Sequence, residues 1–221
     1  MFKNLCFVAL AGAVSIAATP ALALTDAADD FLLATYTGPQ AGDLDILSAS
    51  AAYDGSSFHL SATLAATPGT TPGGIYVWGV NRGAGAPRLT FGMPSVGAGV
   101  LFDAVAVMFP DGMGRVAILP AMGPPAITNL PGLVEVDGNT ISASFAASLL
   151  PGNGFAPEDY TFTLWSRARV NPLTDGDNAE IADFAPSLQA AVPEPATWAV
   201  MILGFASAGL ALRRRRVGEV M

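Results

Sequence analysis

The densest chemistry in the chain is acidic. Asp175, Asp177 and Glu180 fall within the run Asp175-Gly176-Asp177-Asn178-Ala179-Glu180, and Asp183 follows closely. Hard oxygen donors packed into one loop suit Ca²⁺, which gathers about six to eight oxygens. The nearest base in sequence is Arg169. Folding these four carboxylates together costs repulsion that a divalent ion relieves. The spacing is not that of an EF-hand, because loop position six is Glu180 where that loop needs glycine. A solvated acidic loop is the alternative reading of the same residues.

Other chemistries find less to build on. His59 is the single histidine, and it falls among Ser57, Ser61 and Thr63 on the polar face of a predicted strand. A hydrolase needs a nucleophile, a base and an oxyanion site. No G-x-S-x-G elbow is present; Pro94-Ser95-Val96-Gly97 comes nearest. His59 therefore reads as a surface strand residue. Gly83-Ala84-Gly85-Ala86-Pro87 lacks the continuation of a dinucleotide loop. Catalytic zinc would want several histidines. Paired carboxylates for glycoside hydrolysis stay open as an alternative, but nothing picks out a pair. Asp54, Asp111 and Asp137 are explained as turn residues. Tyr76, Trp78 and Trp165 are of the type that stacks on sugars, yet their place in apolar or alternating runs predicts core. A flat threonine array for ice has only Thr161 and Thr163 as a start. The sequence predicts a protein that is not an enzyme and has no cofactor beyond the Ca²⁺ option.

Composition narrows the class. Of 221 residues only 13% are charged while 52% are hydrophobic, and there are 24 Gly and 17 Pro. That balance is wrong for a helical bundle and for a charged disordered tail. The net charge is −8, and residues 24–192 alone carry sixteen carboxylates against five arginines and no lysine. Such a surface repels nucleic acid and anionic lipid.

The elements that must position these residues are strands. Phe58, Leu60, Ala62 and Leu64 alternate with polar neighbours, and Leu47, Ala49, Ala51 and Tyr53 do so upstream. Asp54-Gly55 between them is a hairpin turn signal. The cue recurs at Pro110-Asp111-Gly112 and at Asp137-Gly138-Asn139, each between apolar runs. With residues 31–36, 75–80 and 160–165 this predicts about nine strands. At most a helical turn is expected near residues 25–30 and 147–150. Exposed loops are expected at 67–74, 81–87 and 120–125. The expected fold is an all-β, antiparallel β-sandwich, jelly-roll-like, over residues 24–185.

The ends carry address signals. After Lys3 comes an apolar run, then Thr19-Pro20-Ala21-Leu22-Ala23, whose Ala21 and Ala23 fit an A-x-A cleavage site. Residues 1–23 are thus predicted as a signal peptide, which makes signal peptidase and the secretion machinery partners. Cys6 lies within it, so the mature chain would have no cysteine for disulfides, thiol catalysis or thiolate metal sites. At the other end, residues 186–195 read as a Pro-rich linker and residues 196–212 as a membrane span of about 25 Å. Trp198 suits the outer interface and Arg213, Arg214, Arg215 and Arg216 suit the cytoplasmic side. Residues 213–221 form the expected basic tail.

Pro193-Glu194-Pro195, Trp198-Ala199, the apolar stretch and Arg213 to Arg216 together resemble the PEP-CTERM sorting signal of Gram-negative bacteria, in its PEPxxWA variety. The resemblance covers about thirty residues and leaves the region before them unassigned. It implies an exosortase-type membrane enzyme as partner, transit through the envelope, and association with extracellular polysaccharide and biofilm matrix. It also implies anchoring in the inner membrane before processing, then release to the envelope or beyond. The same tail class is sometimes labelled ice-binding, although the tail itself does not bind ice. The reading at this level is an exported, non-catalytic structural or binding β-sandwich sorted by its tail. The alternatives are a secreted glycan-active enzyme using paired carboxylates, or a calcium- or carbohydrate-binding module.

Overall fold

The computed structural model describes residues 23–88, 97, 99–169, 180–185 and 188–189. Along the chain the strands are β1 (Ala23–Thr25), β2 (Ile46–Tyr53), β3 (Ser57–Leu64), β4 (Gly74–Asn81), β5 (Ala86–Pro87), β6 (Leu101–Phe102) and β7 (Ala104–Met108). They continue as β8 (Met113–Ile118), β9 (Ala126–Pro131), β10 (Val134–Asp137), β11 (Thr140–Ala146), β12 (Thr161–Ala168), β13 (Ile181–Phe184) and β14 (Leu188–Gln189). Short 3₁₀ turns occur at Gly42–Leu44, Ala147–Leu149 and Pro157–Asp159. No described helix is long and apolar enough to cross a membrane. Residues 1–22 of the predicted signal peptide, the predicted span at 196–212 and the tail at 213–221 lie outside the described residues.

All pairing is antiparallel. One sheet runs β1-β2-β3-β11-β10, a second runs β13-β12-β4-β7-β8-β9 with β14 added to β12, and β5 and β6 pair as a separate two-stranded sheet. The turn chemistry sets the registers. Asp54 Oδ1 accepts the backbone N–H groups of Ser56 and Ser57, which closes the β2–β3 hairpin with Tyr53 opposite Phe58. Phe109 N–H donates to the Met113 carbonyl at the β7–β8 turn. Asp137 faces Thr140 across the β10–β11 turn.

Alternation then builds the core. Phe58, Leu60, Ala62 and Leu64 from β3 and Ile141, Ala143 and Phe145 from β11 meet Tyr76, Trp78 and Val80 from β4 and Phe162 and Leu164 from β12. Both sheets thus feed one apolar cluster, in which the Phe58 ring lies 5.5 Å from that of Tyr160 and 5.6 Å from that of Phe162. The second sheet is apolar on its other face as well. There Val77, Trp165 and Ile181 pack with Val100 and Phe102, and Leu32 lies against them. Burial on both faces explains why residues 75–80 read as a continuous apolar run. Gly79 is required beneath Trp165, since a Cβ there would sit 2.8 Å from the indole.

Several expectations are corrected. Residues 31–36 form turns, with Tyr36 N–H donating to the Leu32 carbonyl, and are not a strand. Where a helical turn was expected at residues 25–30, Thr25 ends a strand paired with β2 and residues 26–30 form a non-helical turn. A bulge between Ile46 and Ser48 shifts the face of β2, so Ile46 is fully buried where the simple alternation placed Leu47. Leu188 and Gln189 pair with β12, extending the sheet into the segment expected as a linker.

Candidate metal centre

The bulge in β2 has a second consequence. It leaves the Ile46 N–H free of the ladder, and that group donates to Asp183 Oδ2 at 2.7 Å. A second irregularity, between Ser166 and Arg167 in the β12–β13 pairing, lies opposite Asp183. Bulges re-aim side chains, and here the two of them turn Asp183 inward, where it is 1% exposed. Its Oδ1 accepts the Phe184 N–H at 2.6 Å.

The N-terminal segment of the fold is laid over this point by backbone bonds. Asp26 N–H donates to the Leu47 carbonyl at 2.9 Å, and Leu32 N–H donates to the Ala182 carbonyl at 2.9 Å. Between them, Asp29 N–H is shared by both oxygens of Asp45 at 3.1 Å. Asp29 has φ of +62°, the left-handed conformation that aspartate tolerates better than most residues. This path brings one oxygen from each of Asp26, Asp30 and Asp183 within 4.8 Å of one another. Oxygens that share an ion at the usual Ca–O distance of about 2.3–2.6 Å have that spread.

The electrostatics disfavour the charged forms of these carboxyls. Burial pushes Asp183 up to about 7, against the pull of its two backbone donors, and Asp30 and Asp26 add to the rise. Burial and then Asp30 push Asp26 up to about 6. Asp45, 1% exposed, is raised chiefly by burial as well. Oδ2 of Asp26 is cut off from solvent and has no hydrogen-bond partner. A buried carboxylate oxygen without a donor is costly, and a metal ion is what such an oxygen satisfies. All the donors are carboxylate oxygens and Asp30 is exposed to solvent, so the set fits a hard cation that completes its shell with water.

The predicted acidic loop is divided by this arrangement. Asp175 and Asp177 lie outside the described residues. Glu180 is drawn away to an ion pair with Arg167 of β12, and only Asp183 joins the cluster. Asp26, Asp30 and Asp45 were missed, although the run Asp26-Ala27-Ala28-Asp29-Asp30 is a visible acidic signal. Of the predicted cleavage residues, Ala21 lies outside the described residues, and Ala23 opens β1 opposite Ser50. Pro193, Glu194, Pro195, Trp198, Ala199 and Arg213 to Arg216 also lie outside them.

Comparison with known families assigns that last region. Residues 191–216 match the PEP-CTERM protein-sorting motif. No curated protein and no solved structure matches the chain. The chain therefore carries the sorting signal of an exported, envelope-directed protein, with an exosortase-type enzyme as its general processing partner.

Proposed function

We propose that the chain is a non-catalytic β-sandwich, delivered to the envelope through its sorting tail and clasped by Ca²⁺ at Asp26, Asp30 and Asp183. The sandwich reading rests on the core shared by two antiparallel sheets. β3 pairs with β11 and β4 with β12, and the chain passes from β3 to β4 and from β11 to β12. This is a two-stranded ribbon folding from one sheet to the other, the winding on which a jelly roll is built. Before processing, the segment 196–212 anchors the chain in the inner membrane; afterwards it serves in the envelope or extracellular matrix.

One observation supports the metal above all: Asp183 is 1% exposed and its neighbours in space are two further carboxylates. The ion joins the segment that follows the predicted cleavage site to β13, near the other end of the sheet region. A glycan-active enzyme with paired carboxylates is the alternative; it is less favoured because Asp183, at the centre of the set, is 1% exposed and closed off from a bulky glycan. Calorimetric titration of the full chain in detergent with CaCl₂ tests the reading. One saturable site is expected, with affinity in the range of extracellular modules, about 10⁻⁴–10⁻³ M. Asp26→Asn with Asp183→Asn should abolish it; a titration without binding heat, and with no shift in melting temperature, would sink the clasp.

A further inference from the structure

His59 does more than face solvent. Its Nε2 lies 2.8 Å from Asp54 Oδ2, and its Nδ1 lies 2.8 Å from Ser144 Oγ. The three side chains come from the β2–β3 turn, from β3 and from β11, and the register that places Ser144 directly opposite His59 unites them. From this geometry we propose that Ser144 is an acyl-acceptor site, with His59 as its general base and Asp54 as the group that fixes the tautomer. It goes beyond the calcium reading and rests on different residues.

The proton positions follow from the partners. Asp54 accepts from His59, and from the N–H groups of Ser56 and Ser57 and the Ser56 hydroxyl. These bonds, the one from His59 foremost, hold its carboxyl well below the usual range. An ionised carboxylate only accepts, so Nε2 must carry the hydrogen. In the neutral ring Nδ1 is then the acceptor, and the Ser144 hydroxyl donates to it. That is the tautomer a base needs to take the serine proton.

The trio adjoins a cleft. Leu64 N–H donates to the Asn139 carbonyl and Ala147 N–H to the Ser56 carbonyl. By that parity the odd-numbered residues of β11 bond to β3, and the backbone groups of Ser142 and Ser144 point to the other side. β10 covers that side only as far as Val134, which lies opposite Ala143. The Ser144 N–H points to that side, toward the Leu133 backbone that continues the register, and a cleft of about 250 Å³ there is lined by Gly132, Leu133, Glu135, Ser142, Ala143 and Ser144. The volume suits a small acyl group, and Glu135 disfavours an anionic one.

The reaction is transfer from an activated neutral ester. Ser144 Oγ attacks the acyl carbon and its proton passes to His59 Nδ1. The ester C–O bond then breaks, the leaving oxygen departs with the electron pair, and it takes the proton from Nδ1. The products are an acyl ester on Ser144 and a free alcohol, and no turnover is required.

The full chain in detergent, treated with p-nitrophenyl acetate and mapped by peptide mass spectrometry, tests this. Ser61 and Ser142, paired with one another on the same sheet face, are the internal standards. Ser144 should be acetylated about 100-fold faster than either, the low end of general-base catalysis. His59→Gln should bring it down to their level. Asp54→Asn should do the same, because the new amide donates to Nε2 and leaves the hydrogen on Nδ1. Melting curves of both variants confirm that they are folded. Equal labelling of the three serines in the unaltered chain, or preferential labelling that survives His59→Gln, would overturn the proposal.

Discussion

If the carboxylates of Asp26, Asp30 and Asp183 await a cation, metal-free stability must fall as they ionise. Asp183 rises from 3.8 to about 7 and Asp26 from 3.8 to about 6 on folding. The folded chain therefore holds these protons more tightly than the unfolded chain, and protons favour folding. This contribution is complete below pH about 4 and is lost as pH climbs through about 6 and 7. At about 1.4 kcal/mol for each tenfold change in proton affinity, the rise of Asp183 corresponds to about 4 kcal/mol. For a chain of this size that is about 10 °C in melting temperature. Ca²⁺ binds the ionised carboxylates, so it should restore what pH removes. At ten times its dissociation constant it returns about 1.4 kcal/mol, or about 4 °C. The assay is thermal unfolding followed by tryptophan fluorescence, since Trp78 and Trp165 lie in the core. Melting temperatures are taken from pH 4 to pH 8 in chelator and in Ca²⁺. The two curves should coincide near pH 4 and separate above pH 6. Asp183→Asn should flatten the chelator curve and close the gap. A chelator curve that is flat across this range would refute the repulsion, and parallel curves at every pH would refute its relief by calcium.

Four more outcomes are expected. Arg82 and Asp103 form an ion pair in which both side chains are 4% exposed, so Arg82→Met should cost about 3–5 kcal/mol in urea unfolding by stranding the carboxylate; a loss under about 1 kcal/mol would count against a buried pair. Gly83 has φ of +119°, and a Cβ there would meet backbone of Phe155 and Asn153 at 2.6 and 2.7 Å, whereas Gly55 at φ +96° has nothing within 4 Å. Gly83→Ala should therefore destabilise by clearly more than the roughly 1 kcal/mol of Gly55→Ala, with equal losses contradicting the close approach. Replacing Pro193, Glu194 and Pro195 by alanine should leave the chain in the membrane and unprocessed, as followed by fractionation; unchanged release would remove the sorting role. External protease on spheroplasts should digest the sheet region and spare a tag placed after Met221, and loss of the tag with membranes intact would reverse the orientation.

What was legible in the sequence was local. Each hairpin announced itself by its turn: Asp54-Gly55, Pro110-Asp111-Gly112 and Asp137-Gly138 sit where β2–β3, β7–β8 and β10–β11 reverse. The strands that escaped notice lack such flanks. β9 (Ala126–Pro131) is an edge strand exposed along nearly its whole length, so no alternation marks it. β13 has only four residues, too few to show alternation, and owes its place to pairing with β12. Residues 31–36 have strand-like composition, yet the turn from Leu32 to Tyr36 and the Tyr36 hydroxyl bonded to the Pro39 carbonyl fold them otherwise. The metal set was half visible for the same reason. Counting acids along the chain found Asp183, but its partners arrive from the other end of the described region, and Glu180 is taken by Arg167. Cross-strand placement likewise turned His59 from a lone surface residue into the middle of a hydrogen-bonded trio.

The position of the carboxylate set explains why an ion would serve this chain better than further packing. The only cysteine is Cys6, within the predicted signal peptide, so no disulfide can join the two ends of the exported region. Those ends are the weakest parts of the sheets. β1 has three residues, β13 has four and β14 has two, and all three lie at sheet margins or off the main path. Short marginal strands open first. A link between Asp26 and Asp183 closes a loop that contains almost every other strand, and loop closure constrains the unfolded chain more as the loop lengthens. Ca²⁺ supplies such a link without a covalent bond. On the proposed reading it would do so where calcium is plentiful, and the sorting tail marks the chain for export; without the ion the same carboxylates repel, and with it residues 26–30 and β13 would be drawn together. Stability would then be completed at the destination.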